Sequence, residues 1–538
     1  MTSTADGDAD NTGVAGRTRS WWGWGWQEEA VGSAERAALV ARLPRHWVAD
    51  PLPVPAVADL GLPAPRVTPP ATVAKFCSAE PVARAGHTFG KAYRDVVRAL
   101  RGEFTHPPDL VAFPRAESDV VALFDWAGAA NVALIAYGGG SSVVGGVEYR
   151  GGDHAGVVSV DLSRLHRLLE VDAVSRAACV QAGVLGPDLE RQLAEHGMTL
   201  RFFPQSFEFS SLGGWLATRA GGHFATGRTH IDDMVESLRV VAPAGVSESR
   251  RLPASGAGPS PDRFFLGSEG ALGVITQAWL RVLPRPVFRA STSVAFGGLA
   301  DGLAALRAIV QAGLEPANCR LLDAAEAAVN LGRTDGAVVL VVGFESAHQP
   351  VDAALATTVA VAADHGGRAE STEDSSRSAG AVGNWRAAFL RMPYVRDALV
   401  RSGVLVETFE TAVTWQGAAT LFEEIRSSVG AAVAEVCGEP GLITSRVTHV
   451  YPDGVAPYFT VIAPARRGSE VAMWDDVKAA ASETLDRCGA TITHHHAVGR
   501  DHYRWYDRQR PALHAQLLRG AKKLLDPSGI LNPGVLVD

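Results

Sequence analysis

Cysteine is scarce in this chain of 538 residues. The five, Cys77, Cys179, Cys319, Cys437 and Cys488, stand far apart, with no CxxC pair and an odd total. That pattern excludes a disulfide framework and gives no zinc-site spacing, so the thiols read as reduced and the setting as cytoplasmic. Positive charge is not in excess: 50 basic against 58 acidic residues leave a net charge of −8, with no footprint for nucleic acid or an anionic membrane surface. Long apolar runs are missing too. "AVVLVV" and its like stop after a few residues, short of the ~20 that cross a bilayer. The first residues, "MTSTADGDADNTGVAGRTRS", lack the apolar stretch of a secretory signal and the acid-poor character of a transit peptide, and neither end carries a lipidation or sorting motif. The expectation is a soluble cytoplasmic protein with a disordered tail over 1–20.

The length exceeds one ordinary core, so two or more packed units are expected. After the tail, "WWGWGW" (Trp21 to Trp26) reads as an aromatic anchor, and the proline-rich stretch from 45 to 80 as a segment that wraps a larger body. The expected wrapping segment is 21–107. From about Pro108, short apolar runs alternate with helical stretches: "LVAFP", "SDVVALFDWAGAANV", "ALIAYGGGSSVVGG", "GVVSVDLSRL". This predicts an α+β unit over 108–286. Over 287–488, strand-then-helix pairs such as "TSVAF" with "LADGLAALRAIVQAG" predict a second, mostly antiparallel sheet with helices packed on it. The remainder, 489–538, reads as a strand carrying "THHHAVG" and a closing amphipathic helix.

"AYGGGSSVVGG" (Ala136 to Gly146) puts five glycines and two serines into eleven residues. Glycine admits unusual φ values, and successive exposed N–H groups with serine hydroxyls make a concavity suited to phosphate oxygens. It is neither a GxGxxG opening a helix nor a GK[ST] loop, so on its own a glycine-rich turn between strands explains it as well. The triplet His494, His495, His496 poses a second choice, between metal ligation and acid/base chemistry. If the segment is a strand, His494 and His496 share one face and His495 takes the other. A metal site needs further ligands, and Asp501 with His502 forms no HExxH-like spacing. No metal is expected from that spacing, while acid/base work, substrate contact and plain core packing of the rings stay open on the residues alone.

In order along the chain, "PRAESDVVALFDWA", "IAYGGGSSVVGG", "VVSVDLSRL", "VQAGVLGPDLERQL", "SSLGGWLATRAGG" and "FFLGSEGALGVITQAWLRVLPRP" resemble the PCMH-type FAD-binding domain of the vanillyl-alcohol-oxidase flavoproteins. "WWGWGW", "VETFETAVTW", "CRLLD", "VTHVYPDGVAPYF" and "HHHAVG" resemble, within that superfamily, the alkyldihydroxyacetonephosphate synthase family. The resemblance spans about Trp21 to Asp538. It implies a two-subdomain FAD-binding domain and a C-terminal cap domain over the flavin.

The resemblance also implies roles. Gly138, Gly139, Gly140, Ser141 and Ser142 would hold the FAD pyrophosphate. Gln205, Ser211, Gly213, Gly214, Thr218, Gly221, Gly222, Glu269, Gly273, Val274 and Ile275 would lie along the cofactor, small residues letting backbone approach the ring. Some relatives attach the flavin through a histidine in the pyrophosphate loop; this loop has none, so the FAD is expected to be non-covalent. In the family, flavin N5 is the covalent centre on which a fatty alcohol replaces the acyl group of acyl-dihydroxyacetone phosphate, without net redox. Arg320 and Arg396 would bind the phosphate. Tyr458 would serve as an acid if a neighbouring cation or imidazole lowers its pKa, with His494, His495 and His496 beside it. A homodimer is also implied, and contact with a membrane surface stays open because long-chain substrates come from lipid.

One departure stands out. Where the family carries a histidine and an aspartate near the flavin, this chain has Phe202 and Gln205, losing a titratable group and a charge; an amide cannot act as a base. Two other readings follow: an FAD-linked dehydrogenase or oxidase of a 2-hydroxy acid such as D-lactate or glycolate, and a flavin-binding protein without catalysis. Against the first, "THVYPDGVAPYF" stands where a "GHxGDGNxH" motif would be expected, keeping His449 but differing at the glycine and the last histidine.

Overall fold

The computed structural model describes residues 17–370 and 390–537. Three main sheets carry them. The first has the order Cys77–Ser78, Leu110–Ala112, Gly156–Asp161, Val132–Tyr137, with the last three strands parallel. Strand Val132–Tyr137, "VALIAY", is almost wholly buried, which is why it shows a continuous apolar run rather than alternation. It follows helix Glu117–Ala130, closed by Asn131 at φ 52°, and delivers the glycine loop at its C-terminal end. The second sheet is antiparallel, ordered Leu168–Asp172, Ala177–Gln181, Val274–Arg281, Val235–Ala242, Gly245–Glu248. Helix Leu212–Thr218 packs on it and buries Trp215.

The expected second antiparallel sheet is present and large. Its order is Arg368–Ala369, Phe288–Phe296, Val338–Ser346, Asn318–Leu322, Leu442–Val450, Gly454–Pro464, Val404–Glu410, with Val413–Thr414 pairing onto Gly454–Pro464. The helices Leu299–Gln311 and Asp352–Asp364 follow their strands as the strand-then-helix pattern predicts. Helix Glu470–Arg487 lies against strand Val404–Glu410, where Lys478 pairs with Glu407 at 2.8 Å, both side chains buried, and Trp474 Nε1 donates to the same carboxylate. Removing one partner from such a buried pair costs about 3–5 kcal/mol, so this strand is held firmly in place.

The N-terminal stretch is an anchor, as expected, and begins earlier than expected. Residues 1–16 of the anticipated tail lie outside the described residues, but Arg19 is ordered: its guanidinium sits 4.2 Å from the Phe209 ring centroid and donates to Gly139 O at 2.9 Å. Trp24 and Trp26 meet Phe209 edge-on at 5.6 and 5.4 Å. A Cβ at Gly139 would lie 1.7 Å from Phe209 O, so only glycine lets the loop pass this packed aromatic group.

The stretch after residue 489 contains no strand among the described residues; 493–502 is turn and loop, followed by helices Tyr503–Gln509 and Ala512–Leu525. The parity argument for the triplet therefore fails. Its backbone N–H groups are not spent on a ladder, because a carboxylate takes them instead.

Candidate active site

Glu410 ends strand Val404–Glu410, and its side chain is 2% exposed. It accepts from the backbone N–H of His494 at 2.6 Å, of His495 at 3.2 Å and of His496 at 2.9 Å, and from Thr493 Oγ1 at 2.7 Å. Converging N–H donors satisfy an anion that burial alone would penalise. Burial pushes its pKa up, but the surrounding imidazoles and the Thr493 bond hold it well below the usual carboxylate range. A chain reversal that would otherwise bury bare N–H groups thus becomes a fixed turn.

That turn faces a cavity of about 300 Å³. On one wall are the glycine loop Gly138, Gly139, Gly140, Ser141 and Ser142, then Gln205, Ser211, Gly213, Gly214, Thr218, Gly221, Gly222, Glu269, Gly273, Val274 and Ile275. On the other are Arg320, Arg396, Arg446, His449, Tyr458, His495 and His496. Every position expected to touch cofactor or substrate lines this space except His494. Its ring packs, tilted, against His230 at 4.4 Å and His449 at 4.8 Å, with Nε2 at 2.7 Å from Tyr451 OH. A turn does not alternate side chains as a strand does, so the neighbours His495 and His496 both reach the cavity while His494 turns away.

Phe202 also falls elsewhere than expected. It is 1% exposed, packs on Trp215 at 5.1 Å and fills the space beside Gly222, whose added Cβ would meet the ring at 2.7 Å. The loss of a titratable group near the ring therefore reduces to Gln205, which does line the cavity.

Two residues of the site escaped the sequence reading. Arg446 lies over the Tyr458 ring at 4.2 Å and pairs with Glu326 at 2.7 Å; one arginine in a strand carries no signal of its own. Glu410, four residues from Val406 in "VETFETAVTW", was quoted within a motif but given no role. The anticipated cation beside Tyr458 is thus present, yet burial outweighs it and the phenol pKa is raised. Tyr458 is a proton donor at neutral pH, not a phenolate.

Burial is likewise the largest influence on the histidines, lowering His494, His495 and His449, and taking His496 to about 3. The triplet is neutral at pH 7, so charge for a phosphate must come from guanidinium groups. Arg320 is brought down to about 9 by burial and by Arg446 beside it and stays cationic. Arg396 donates to Lys91 O at 2.5 Å and pairs with Asp397 at 2.7 Å. The ring nitrogens of His449, His494 and His495 come within 4.8 Å of one another. An ion there would have to displace the bonds from His449 Nε2 to Gly222 O and from His494 to Tyr451.

The glycine loop fits a pyrophosphate. Among the described residues no backbone acceptor meets the N–H groups of Gly139, Gly140, Ser141 and Ser142, and Gly140 takes φ 67°, the left-handed region that aims successive N–H groups one way. Further along the same wall, Glu269 reaches the turn beyond the triplet, accepting from Val498 N at 3.0 Å and Gly499 N at 2.9 Å. Burial outweighs those donors and raises its pKa to about 7.

Comparison with known proteins agrees with this geometry. A profile described as "FAD binding domain" matches residues 108–248, and one described as "FAD linked oxidases, C-terminal domain" matches residues 285–536. An alkyldihydroxyacetonephosphate synthase from Dictyostelium discoideum is 30% identical over 487 residues, covering 85% of this chain and 77% of the relative. One from Trypanosoma brucei brucei is 30% identical over 482 residues, with the same coverage of 85% and 77%. A solved alkyldihydroxyacetonephosphate synthase superposes with a TM-score of 0.81 at 26% identity, over 96% of this chain and 98% of that one. Among the described residues no helix is long and apolar enough to cross a membrane.

Glu269 yields a pH prediction. With its folded pKa near 7 and an unfolded value near 4.5, the folded state keeps a proton that the unfolded chain has released, so stability falls as pH rises through that window. The expected loss is about 3 kcal/mol. Chemical denaturation of the FAD-free protein between pH 5 and 8 should show this slope, and Glu269→Gln should flatten it. An unchanged slope in the variant would refute the assignment.

Proposed function

The chain belongs to the alkyldihydroxyacetonephosphate synthase family of FAD-dependent enzymes, and from that premise we propose that it exchanges the acyl group of acyl-dihydroxyacetone phosphate for a fatty alcohol. The observation that carries this reading is the composition of the cap wall. Three guanidinium groups, Arg320, Arg396 and Arg446, share it with a protonated phenol and neutral imidazoles, which is what a phosphorylated substrate and proton transfer together require.

The chemistry supplied by bound flavin in this reading is a transient bond from N5 to C1 of the substrate, with no net change of oxidation state. The residues of the chain do the rest. Gly139, Gly140, Ser141 and Ser142 hold the pyrophosphate by N–H and hydroxyl groups. Arg320 and Arg446 are kept cationic in a dry wall and pull the substrate phosphate toward Tyr458. Glu326, itself buried, fixes the Arg446 guanidinium at 2.7 Å. The Tyr458 phenol, held as O–H by burial, donates a hydrogen bond to the acyl oxygen as the carboxylate departs. FAD is held without a covalent link, since no histidine stands in the pyrophosphate loop. Acid precipitation should leave the yellow colour in the supernatant; colour fixed to the pellet would contradict this.

Purified protein given palmitoyl-dihydroxyacetone phosphate and labelled hexadecanol should release palmitate and form the labelled ether. Tyr458→Phe should lower kcat by about 100-fold or more while FAD stays bound. If no ether forms and D-lactate or glycolate bleaches the flavin instead, the protein is a 2-hydroxy-acid dehydrogenase and the proposal is wrong.

A further inference from the structure

A chain of hydrogen bonds runs behind the cavity wall and closes on the triplet's own backbone. His230 Nε2 lies 2.9 Å from the carbonyl oxygen of His494. A carbonyl only accepts, so His230 carries a proton on Nε2. Nδ1 of the same ring lies 3.2 Å from Thr229 Oγ1, within reach of the threonine hydroxyl hydrogen. Thr229 Oγ1 accepts from Tyr451 OH at 3.0 Å. With its hydrogen committed, the Tyr451 oxygen can only accept from His494 Nε2 at 2.7 Å. Neutral His494 therefore has a bare Nδ1, which lies 3.0 Å from His495 Nδ1. The proton between them belongs to His495. An independent contact agrees: the Glu410 carboxylate lies 3.5 Å from that same His495 nitrogen and favours a proton on it.

We infer that His230, Thr229 and Tyr451, none of which touches the cavity, are positioning residues that hold His495 as its Nδ1–H tautomer, leaving Nε2 of this cavity-lining ring as a standing base. The polarity is set by the bond that Tyr451 OH donates to Thr229 Oγ1, and it carries through to His495 because the tyrosine has a single hydrogen and each of the two neutral imidazoles a single N–H. Burial keeps His494 and His495 neutral, which the argument needs. The chemical consequence rests on the alkyl-exchange reading above, whereas the tautomer itself does not. In that reaction the alcohol O–H bond breaks and an N–H bond forms at His495 Nε2. The electron pair would stay on the alkoxide oxygen, which would bond to the substrate carbon as the bond from that carbon to the flavin nitrogen breaks and returns its pair to the nitrogen, and the resulting imidazolium is stabilised by Glu410. Such a base contributes typically 10²–10⁴-fold.

The experiment is a long-range 1H–15N spectrum of FAD-loaded protein labelled with 15N-histidine, with His495→Gln assigning the signal. His495 should show a protonated Nδ1 and an unprotonated Nε2. In Tyr451→Phe and Thr229→Val the signal should move toward the other tautomer, and Thr229→Ser should restore it. Tyr451→Phe should lower kcat for ether formation by at least about tenfold at unchanged KM. A wild-type His495 protonated on Nε2, or a His495 signal indifferent to both variants, overturns the inference. The expected tautomers in a protein that makes no ether would leave this inference standing and remove the alkyl-exchange reading.

Discussion

The arrangement depends on one buried carboxylate. Glu410 takes the N–H groups of three consecutive residues and a hydroxyl from a fourth, and by doing so it replaces the ladder a strand would have needed. Without it the segment after residue 493 would either pair as a strand, with alternating rings, or leave bare donors in a dry interior at about 1–3 kcal/mol each. With it, three adjacent imidazoles are divided between two surroundings. His495 and His496 line the cavity, while His494 faces back toward His230, His449 and Tyr451.

The strand that carries Glu410 is tied to helix Glu470–Arg487 through the Glu407 and Lys478 pair. The turn it holds is gripped from the other lobe by Glu269, which bonds the N–H groups of Val498 and Gly499. Carboxylates from both lobes thus fix successive parts of the 493–499 segment, Glu410 at the triplet and Glu269 just beyond it. Charge is then divided by residue type. Burial keeps the imidazoles neutral and the phenol protonated, so positive charge stays with guanidinium groups that burial cannot discharge at pH 7. A wall that must bind an anion and also take up a proton needs both kinds of group side by side.

Much of this was legible in the chain, and the boundary is physical. The glycine loop "AYGGGSSVVGG" was legible as a backbone concavity because glycines and serines act through local chain geometry, while the other residues expected along the cofactor came from the family resemblance alone. The cap sheet could be read from its strand and helix periodicities. The triplet's geometry could not, since its conformation is set by Glu410, 84 residues earlier in the chain. Phe202 looked like a lost imidazole beside the flavin, yet its ring turns into the core against Trp215, because loop residues do not announce which way they face. Arg446 and Tyr451 stayed silent for the same reason: their meaning lies in Glu326, Tyr458 and His494, which only the fold brings to them.

The most direct measurement is amide hydrogen exchange across residues 493–499 in the wild type, Glu410→Gln and Glu410→Asp. If the carboxylate holds the turn, the N–H groups of His494, His495 and His496 exchange slowly in the wild type and lose that protection in Glu410→Gln, while strand Gly454–Pro464 keeps its own. Fast exchange at the triplet in the wild type, or undiminished protection in Glu410→Gln, would contradict the account.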